Sequence, residues 1–348
     1  MRRLPIYFLI DLSESMVGEP LQQVEEGIAT IIKELKTDPY ALETAYISII
    51  GFAGKPITIV PFQDLITFYP PRLFVGPGTD LGSGLGHLMY ELRRNVKATT
   101  MEAKGDWKPI VFLFTDGAPT DDPSAAIAEW KSNWARKANM VAVSFGNEAD
   151  LSVLNQISDN VLVFNNSSAS SYSRFFKWIS GSIKSTSLSI EQGGSDFELS
   201  KIDSDILSKA DTSPQHKLKV DQNYAIFSAR CQRSKKPYLI KYGRDTKSSD
   251  LPGLEMNTSY YRLVGGYAVD ERYFELASEH SPSATVNSEE LAGFPACPVC
   301  GNQFGFALCK CGKVHCVGDE KQSTCPWCNS TAEYGFGSGS ANIGRSHG

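Results

Sequence analysis

The chain has 348 residues, which is enough for two or three domains of roughly 150 residues each. Its hydrophobic content of 41% and charged content of 21% are ordinary for a globular protein. The formal net charge of -5 gives no reason to expect general nucleic-acid binding. No stretch approaches the roughly 18 apolar residues of a membrane span, so we expect a cytoplasmic protein.

The first predicted element is a buried strand over residues 5–10, an unbroken apolar run that stops at Asp11. Arg2 and Arg3 precede it, as basic residues precede the apolar core of a secretory signal. That core usually runs for roughly 7–15 residues and ends near small residues, whereas this run is shorter and ends on an acid. We therefore interpret it as a strand.

Strands and helices then alternate as far as residue 185. Apolar residues at helical spacing predict helices at about 21–36, 81–96, 123–138 and 170–184. Apolar and β-branched runs predict strands at 44–52, 57–62, 110–114, 141–145 and 161–164, the first two joined as a hairpin. This alternation indicates an α/β fold with a doubly wound, mostly parallel sheet over residues 1–185.

The following region differs in character. Residues 186–221 read as a polar linker, and short aromatic and β-branched runs over 222–278 predict a small β-rich region. Residues 214–250 carry nine Lys/Arg against three Asp/Glu, and residues 251–296 carry two against seven. Residues 335–348 are rich in Gly and Ser and are expected to form a flexible tail.

Oxygen-bearing side chains follow three of these elements. Asp11, Ser13 and Ser15 come directly after the first strand, Thr79 lies in a glycine-rich loop before the second long helix, and Asp116 ends the strand at 110–114. Taken singly, Ser13 or Ser15 is as well explained as a helix cap and Asp116-Gly117 as a turn. Together they offer oxygen ligands that suit Mg²⁺ or Mn²⁺, at the sheet edge where α/β proteins bind ligands.

The set Asp11-x-Ser13-x-Ser15, Thr79 and Asp116 resembles the metal-ion-dependent adhesion site of von Willebrand factor A domains. The resemblance covers residues 4–185 and implies that Ser13, Ser15 and Thr79 bind the ion directly, and that Asp11 and Asp116 bind it directly or through water. It also implies an open coordination position for a carboxylate of a partner, and a binding module without enzymatic activity.

Other chemistries are weaker readings of the same residues. The glycines at 82, 84 and 86 lie inside a helical pattern without the preceding strand of a nucleotide site. Ser13 occupies the position where an aspartyl-phosphate mechanism would need a second acid. His87 is better explained as a packed helix residue than as the base of a hydrolase, and no general base stands beside the proposed ion for metal-assisted hydrolysis.

Seven of the eight cysteines lie between residues 297 and 328. Paired cysteines at this spacing, without a signal peptide, indicate metal thiolates of a zinc-ribbon or knuckle-like module over 297–330 rather than disulfides. The candidates suffice for one or two structural Zn²⁺, with the pairing left open. Cys231 stands apart and is interpreted as a small core residue. The candidate zinc ligands are Cys297, Cys300, Cys309, Cys311, His315, Cys316, Cys325 and Cys328.

An A domain followed by a Cys-rich C-terminal region resembles the long form of the tellurite-resistance TerY family. That resemblance implies a bacterial stress-response protein, with a protein kinase and a PP2C-type phosphatase as candidate partners. The leading hypothesis is a metal-dependent protein-binding scaffold. The alternative is a nucleic-acid-binding protein that uses the basic stretch 214–250 and the zinc module.

Overall fold

The computed structural model describes residues 2–145, 149–164, 168–191, 199, 207–209, 223–248, 257–278, 284–320, 322–335 and 340–346. Contacts divide the chain into two compact units. The first comprises Met1–Leu73 and Thr79–Leu218, and the second comprises Phe74–Gly78 and Lys219–Gly348. No described helix has both the length and the apolar character that crossing a membrane would require.

The first unit contains the alternating strands and helices that the sequence predicts. Its strands are β1 Leu4–Asp11, β2 Ala45–Phe52, β3 Pro56–Asp64, β4 Ile110–Thr115, β5 Asn139–Phe145, β6 Asn160–Phe164 and β7 Leu207–Lys209. Its helices are α1 Glu19–Leu35, α2 Pro39–Thr44, α3 Leu81–Asn95, α4 Ser124–Asn133, α5 Leu151–Ile157 and α6 Ala169–Glu191. A 3-10 turn over Glu14–Met16 precedes α1.

The strands form one sheet in the order β3-β2-β1-β4-β5-β6-β7. Strand β1 pairs in parallel with both β2 and β4, while β3 joins β2 as the predicted antiparallel hairpin. The chain therefore winds outward in opposite directions from β1 and β4. In a doubly wound sheet this reversal opens a crevice at the carboxyl ends of the two strands. Asp11 ends β1 and Thr115 ends β4, so both residues lie at that crevice.

Helices cover both faces of this sheet. On one face, Tyr7 and Leu9 of β1 belong to a buried cluster with Leu85 of α3 and Trp130 of α4. On the other face, Phe8 and the aromatic residues of β4 stack on each other, and the rings of Phe175 and Phe176 from α6 pack edge-on against Phe114. Burial on both faces explains why the central strands are continuously apolar in the sequence.

The described part of the second unit consists mainly of strands and short helical turns. Its strands are β8 Tyr224–Arg230, β9 Pro237–Ser248, β10 Asn257–Ala268, β11 Ala284–Asn287, β12 Leu291–Ala292, β13 Phe304–Leu308, β14 Val314–Val317, β15 Gln322–Thr324, β16 Thr331–Glu333 and β17 Asn342–Arg345. Two 3-10 helices, Glu271–Leu276 and Ser288–Glu290, connect them. The largest sheet has the order β12-β10-β9-β8-β14-β13.

This sheet corrects the predicted division of the C-terminal half. The β-rich region 222–278 and the Cys-rich module 297–330 were expected to be separate, but β8 pairs in parallel with β14 and both share one buried core. Strand β17 pairs with β11, so part of the expected flexible tail is ordered. Helix α6 and strand β7 extend into the predicted linker, whose residues 192–198, 200–206 and 210–221 lie outside the described part.

Candidate metal centres

The first candidate centre begins at Asp11, the last residue of β1. Its side chain is fully buried, and its two carboxylate oxygens have separate partners. Oδ1 accepts a hydrogen bond from Ser13 N at 2.9 Å, and Oδ2 accepts one from Thr115 Oγ1 at 2.6 Å. Asp11 thus joins the ends of β1 and β4 at the point where the sheet reverses its winding.

A chain of hydrogen bonds connects the other predicted oxygens. The Ser13 and Ser15 hydroxyl oxygens lie 2.9 Å apart, and Ser15 Oγ donates to Asp116 Oδ1 at 2.7 Å. Ser13 and Ser15 are buried, whereas Asp116 is half-buried. Ser13 stands at the N-cap position of the 3-10 turn without a capping hydrogen bond from its side chain, and the N-cap residue of α1 is Gly18, so the cap interpretation does not describe Ser13.

Thr79 brings the third loop to the same place. A Cβ added at Gly117, next to Asp116, would lie 3.7 Å from Thr79 Oγ1 and 4.0 Å from Ser15 Oγ. Thr120 holds the Thr79 loop, because its hydroxyl accepts from Thr79 N at 2.8 Å and its N–H donates to Thr79 O at 3.0 Å. The five predicted residues therefore meet at one point.

The Thr79 hydroxyl itself is buried and has no hydrogen-bond partner among the described residues. A buried hydroxyl is normally hydrogen-bonded, because leaving it unpaired costs about 1–3 kcal/mol. The Thr79 hydroxyl lies among other oxygen atoms, and a cation bound to these oxygens would be its missing partner. All five candidate ligands offer hard oxygen atoms, so the donor set fits Mg²⁺ or Mn²⁺.

The pKa of Asp11 also supports a cation at this centre. Burial raises the pKa of Asp11 to about 6, although hydrogen bonds from Ser13 and Thr115 act in the opposite direction. A carboxylate this deep in the protein is costly to ionise unless a positive charge lies nearby. A bound divalent cation would supply that charge.

Sequence reasoning missed three residues that shape this centre: Thr115, Thr120 and Asp121. Asp121 accepts hydrogen bonds from Gly82 N at 3.2 Å and Ser83 N at 3.1 Å, and so occupies the start of α3. A Cβ at Gly82 would lie 2.8 Å from Asp121 Oδ2, which explains the need for glycine there. The polar run Thr115-Asp-Gly-Ala-Pro-Thr-Asp121 was the available signal.

His87 has a partner on a neighbouring strand. His87 lies on α3, and its Nε2 is 2.7 Å from Oγ1 of Thr58 on β3. Its ring lies beside the ring of Tyr90. It therefore has a local partner on the surface of the first unit, in agreement with its interpretation as a packed helix residue.

The second unit contains two groups of four cysteines, and all eight thiols in the chain are free. Within each group the sulfur atoms lie within 4.8 Å of one another. The groups are Cys231, Cys297, Cys300 and Cys316, and Cys309, Cys311, Cys325 and Cys328. Seven predicted cysteines are thus brought together, and Cys231 joins them.

The sulfur spacing fits tetrahedral zinc. A Zn–S bond of about 2.3 Å places the sulfurs of a tetrahedral site about 3.8 Å apart. The observed Sγ–Sγ distances are 3.8 Å for Cys300–Cys316, 3.7 Å for Cys309–Cys328 and 3.9 Å for Cys311–Cys325. The hydrogen bond between the Cys297 and Cys316 thiols lowers the pKa of Cys297 to about 5 and raises the pKa of Cys316, so the pair shares one proton and offers one thiolate.

The structure places His315 outside both groups. Its Nδ1 lies 2.9 Å from Cys316 O and its Nε2 lies 2.8 Å from Tyr334 Oη, so both ring nitrogens already have partners. Burial lowers the pKa of His315, which keeps the imidazole neutral. The residue packs inside the unit, and its prediction as a zinc ligand is not supported by its position.

Cys231 was missed because its loop carries only one cysteine. The loops after Cys231, Cys297 and Cys325 share a hydrogen bond from the amide N–H four residues later back to the cysteine carbonyl, at 2.8–2.9 Å. A residue with positive φ closes each turn: Lys235, Gly301 and Asn329. In the first loop Ser234 stands where the other two have their second cysteine, and Cys316 of β14 completes the group.

Comparison with known proteins agrees with this organisation. Residues 6–178 match the von Willebrand factor type A domain, and residues 221–348 match the TerY-C metal binding domain. No curated protein matches the chain.

Solved structures similar to the chain include a von Willebrand factor type A protein from Catenulispora acidiphila, at 15% identity and TM-score 0.41, covering 52% of this chain and 42% of that one. Another is proximal thread matrix protein 1 from the mussel byssus with a zinc-occupied MIDAS motif, at 22% identity and TM-score 0.37, covering 51% and 46%. The chain thus spans less than half the length of these two proteins.

The two family matches and the geometry of the two units lead to the same assignment. The first unit has the mostly parallel sheet of an A domain, and the second has two groups of four cysteines within a metal-binding family region. Both the predicted family and the predicted fold class are thereby confirmed. The chain belongs to the TerY-like von Willebrand factor A proteins that carry a C-terminal Cys-rich metal-binding domain.

Proposed function

We propose that the protein is a metal-dependent scaffold for protein–protein interaction. In this proposal Asp11, Ser13, Ser15, Thr79 and Asp116 hold Mg²⁺ or Mn²⁺, and the ion binds a carboxylate of a partner protein. The observation that carries the proposal is the buried, unpartnered Thr79 hydroxyl beside four other oxygen-bearing side chains. In this proposal Asp11 and Asp116, the two carboxylates of the set, serve the ion and leave no general base among the five residues, so we assign the centre to binding rather than to catalysis.

The two cysteine groups are proposed to hold two structural Zn²⁺ ions. Four thiolates close a tetrahedral site and leave no position for a substrate, so the metal contributes to folding. The family suggests a cytoplasmic role in bacterial tellurite resistance, with a protein kinase and a PP2C-type phosphatase as candidate partners. These biological assignments rest on the family relationship alone.

Affinity capture from cell lysate tests the scaffold proposal. Wild-type protein is compared with Asp11→Ala and with Asp150→Ala, a control that removes an acidic residue capping α5 in the same unit. We expect Mg²⁺-dependent capture by wild type and the control, and loss of capture by Asp11→Ala. A variant comparison is cleaner than EDTA alone, because EDTA also removes zinc.

Electron paramagnetic resonance of Mn²⁺ provides a readout that needs no partner. Wild type and Asp150→Ala should immobilise Mn²⁺, and Asp11→Ala should not. A folded Asp11→Ala protein that still binds the ion and the same partners would refute the proposal.

A further inference from the structure

A basic cavity in the second unit is lined partly by the loop after Cys231 but by none of the eight cysteines, and it is not part of the two metal centres. It has a volume of about 260 Å³, and Arg230, Ser234, Lys235, Lys236, Glu271 and Phe274 are among the residues that line it. Three cationic side chains face one carboxylate. The excess of positive charge indicates an anionic ligand.

Arg230 is the best-placed donor in this cavity. Its guanidinium carbon lies 4.7 Å from the ring centre of Phe274 and 4.5 Å from that of Trp327. Its Nε is buried and has no hydrogen-bond partner among the described residues. Two aromatic rings therefore fix the orientation of a guanidinium whose Nε–H is unpaired among the described residues, and a guanidinium held in this way is pre-organised for an oxyanion.

Two loops that carry cysteines of the groups position residues in and beside the cavity. Lys235 and Lys236 lie in the loop after Cys231, where Cys231 N donates to Lys236 O at 2.9 Å. Trp327 lies between Cys325 and Cys328, and its Nε1 donates to Val314 O at 2.8 Å. The loop of the first cysteine group thus carries the two lysines, and the loop of the second carries the Trp327 ring that packs against Arg230.

Charge and size together restrict the ligand. Lys236 Nζ lies 3.4 Å from Glu271 Oε1, which leaves Arg230 and Lys235 as the cavity's cationic side chains without an ion pair to any described residue. A phosphate monoester carries about -1.5 to -2 at neutral pH, which matches them better than a single carboxylate or a phosphodiester does. The cavity is smaller than the roughly 300–1,000 Å³ of sites for drug-sized ligands, so one side chain fits better than a nucleotide.

We propose that this cavity binds a phosphorylated serine or threonine side chain of a partner protein. Arg230 and Lys235 contact the phosphate oxygens, and Phe274 packs against the aliphatic part of the residue. This interaction is independent of the proposed carboxylate capture by the first unit. It gives the basic stretch around residue 230 a role other than nucleic-acid binding.

Isothermal titration of the zinc-loaded full chain tests the proposal. The probe is a phosphoserine peptide whose other residues are uncharged, with its unphosphorylated twin as the control ligand. We expect only the phosphopeptide to bind, and inorganic phosphate to compete with it. Inorganic phosphate that binds while the phosphopeptide does not would identify a small-anion site and overturn the proposal.

Variants distinguish the cavity from the general charge of the loop. Lys235→Asn suits the positive φ of 59° and should weaken phosphopeptide binding by about tenfold, the value of one charge-assisted hydrogen bond. Arg230→Gln should have at least as large an effect. Arg233→Gln is the matched control, because Arg233 is exposed on the same loop and does not line the cavity.

Each remaining outcome also counts against the proposal. If all three variants lower affinity equally, the loop acts as a diffuse basic surface. If a single-stranded oligonucleotide binds with steep salt dependence and the phosphopeptide does not, the nucleic-acid alternative is favoured. Zinc content measured for every variant shows that the cysteine groups remain loaded. If Arg230→Gln does not fold, Lys235→Asn alone decides.

Discussion

Replacing Thr79 with valine should have opposite effects on the A domain with and without Mg²⁺. Thr79 is 1% exposed, and its hydroxyl has no partner among the described residues. Valine keeps the shape and removes the unpaired oxygen. Because an unsatisfied buried hydroxyl costs about 1–3 kcal/mol, Thr79→Val should stabilise the Mg²⁺-free domain by at least about 1 kcal/mol.

Mg²⁺ should reverse that order. An ion present at about 100 times its dissociation constant stabilises the native state by about 2.7 kcal/mol. Wild type should gain this stabilisation, and Thr79→Val should lose most of it with the missing oxygen ligand. For a domain of this size, each 1 kcal/mol corresponds to a shift of roughly 2–4 °C in Tm.

Thr44→Val is the matched control for this experiment. Thr44 is also 1% exposed, but its Oγ1 donates to Tyr40 O at 2.7 Å. Its replacement should destabilise the protein and leave the Mg²⁺ response intact. Unfolding is followed by tryptophan fluorescence, because four of the five tryptophans lie in the first unit. Mg²⁺ is removed by dialysis, since a chelator would also extract zinc.

One result would refute the reasoning about Thr79. If Thr79→Val destabilises the Mg²⁺-free domain as much as Thr44→Val does and still responds to Mg²⁺, the hydroxyl has a partner within the protein and is not an ion ligand.

Three further predictions concern the metal centres. Burial raises the pKa of Asp11 from 3.8 to about 6, so the folded state binds a proton more tightly than the unfolded state does. The resulting stabilisation is complete below pH 4. The free energy of unfolding of the Mg²⁺-free domain should therefore fall by up to about 3 kcal/mol as the pH rises through 6. Asp11→Asn should abolish this loss, and urea titrations between pH 4 and 7.5 would contradict the idea if both proteins gave parallel curves. Elemental analysis should find two zinc ions per chain in wild type and in His315→Gln but about one in Cys231→Ser, and a zinc loss in His315→Gln instead would restore the histidine as a ligand. Cys311 and Cys328 of the second group are exposed, whereas three cysteines of the first group are buried. A chromogenic chelator should therefore extract zinc from wild type in two phases, the faster from the second group. A single phase in both wild type and Cys231→Ser would argue against this difference in accessibility.

Local sequence patterns predicted most of the first unit correctly because its central strands are buried on both faces. The run at 5–10 could only be a buried strand or helix segment, and its length and position before Asp11 favoured the strand. The short helices α2 and α5 were missed. Both are under eight residues, too short to show apolar periodicity, although Asp38 and Asp150 cap their first turns as helix-starting residues do.

The second unit was harder because its contacts are distant in sequence. Pairing of β8 with β14 joins residues more than 80 positions apart, and the composition of neither strand indicates which strand it pairs with. The same pairing places Cys231 beside Cys316. Spacing alone had grouped His315 with the cysteines, because an adjacent His-Cys pair resembles a ligand pair until the partners of the imidazole are known.

The sequence by itself determined the alternating α/β fold, the identity of the five oxygen-bearing residues and the metal-binding character of the cysteine cluster. Each depends on short-range patterns: apolar runs, residues that follow strands, and paired cysteines. Tertiary structure alone decided which cysteines share a group, that the Thr79 hydroxyl lacks a partner among the described residues, and that Arg230 lies between two aromatic rings. These features depend on contacts between distant segments, which burial and hydrogen bonding select only when the whole unit folds.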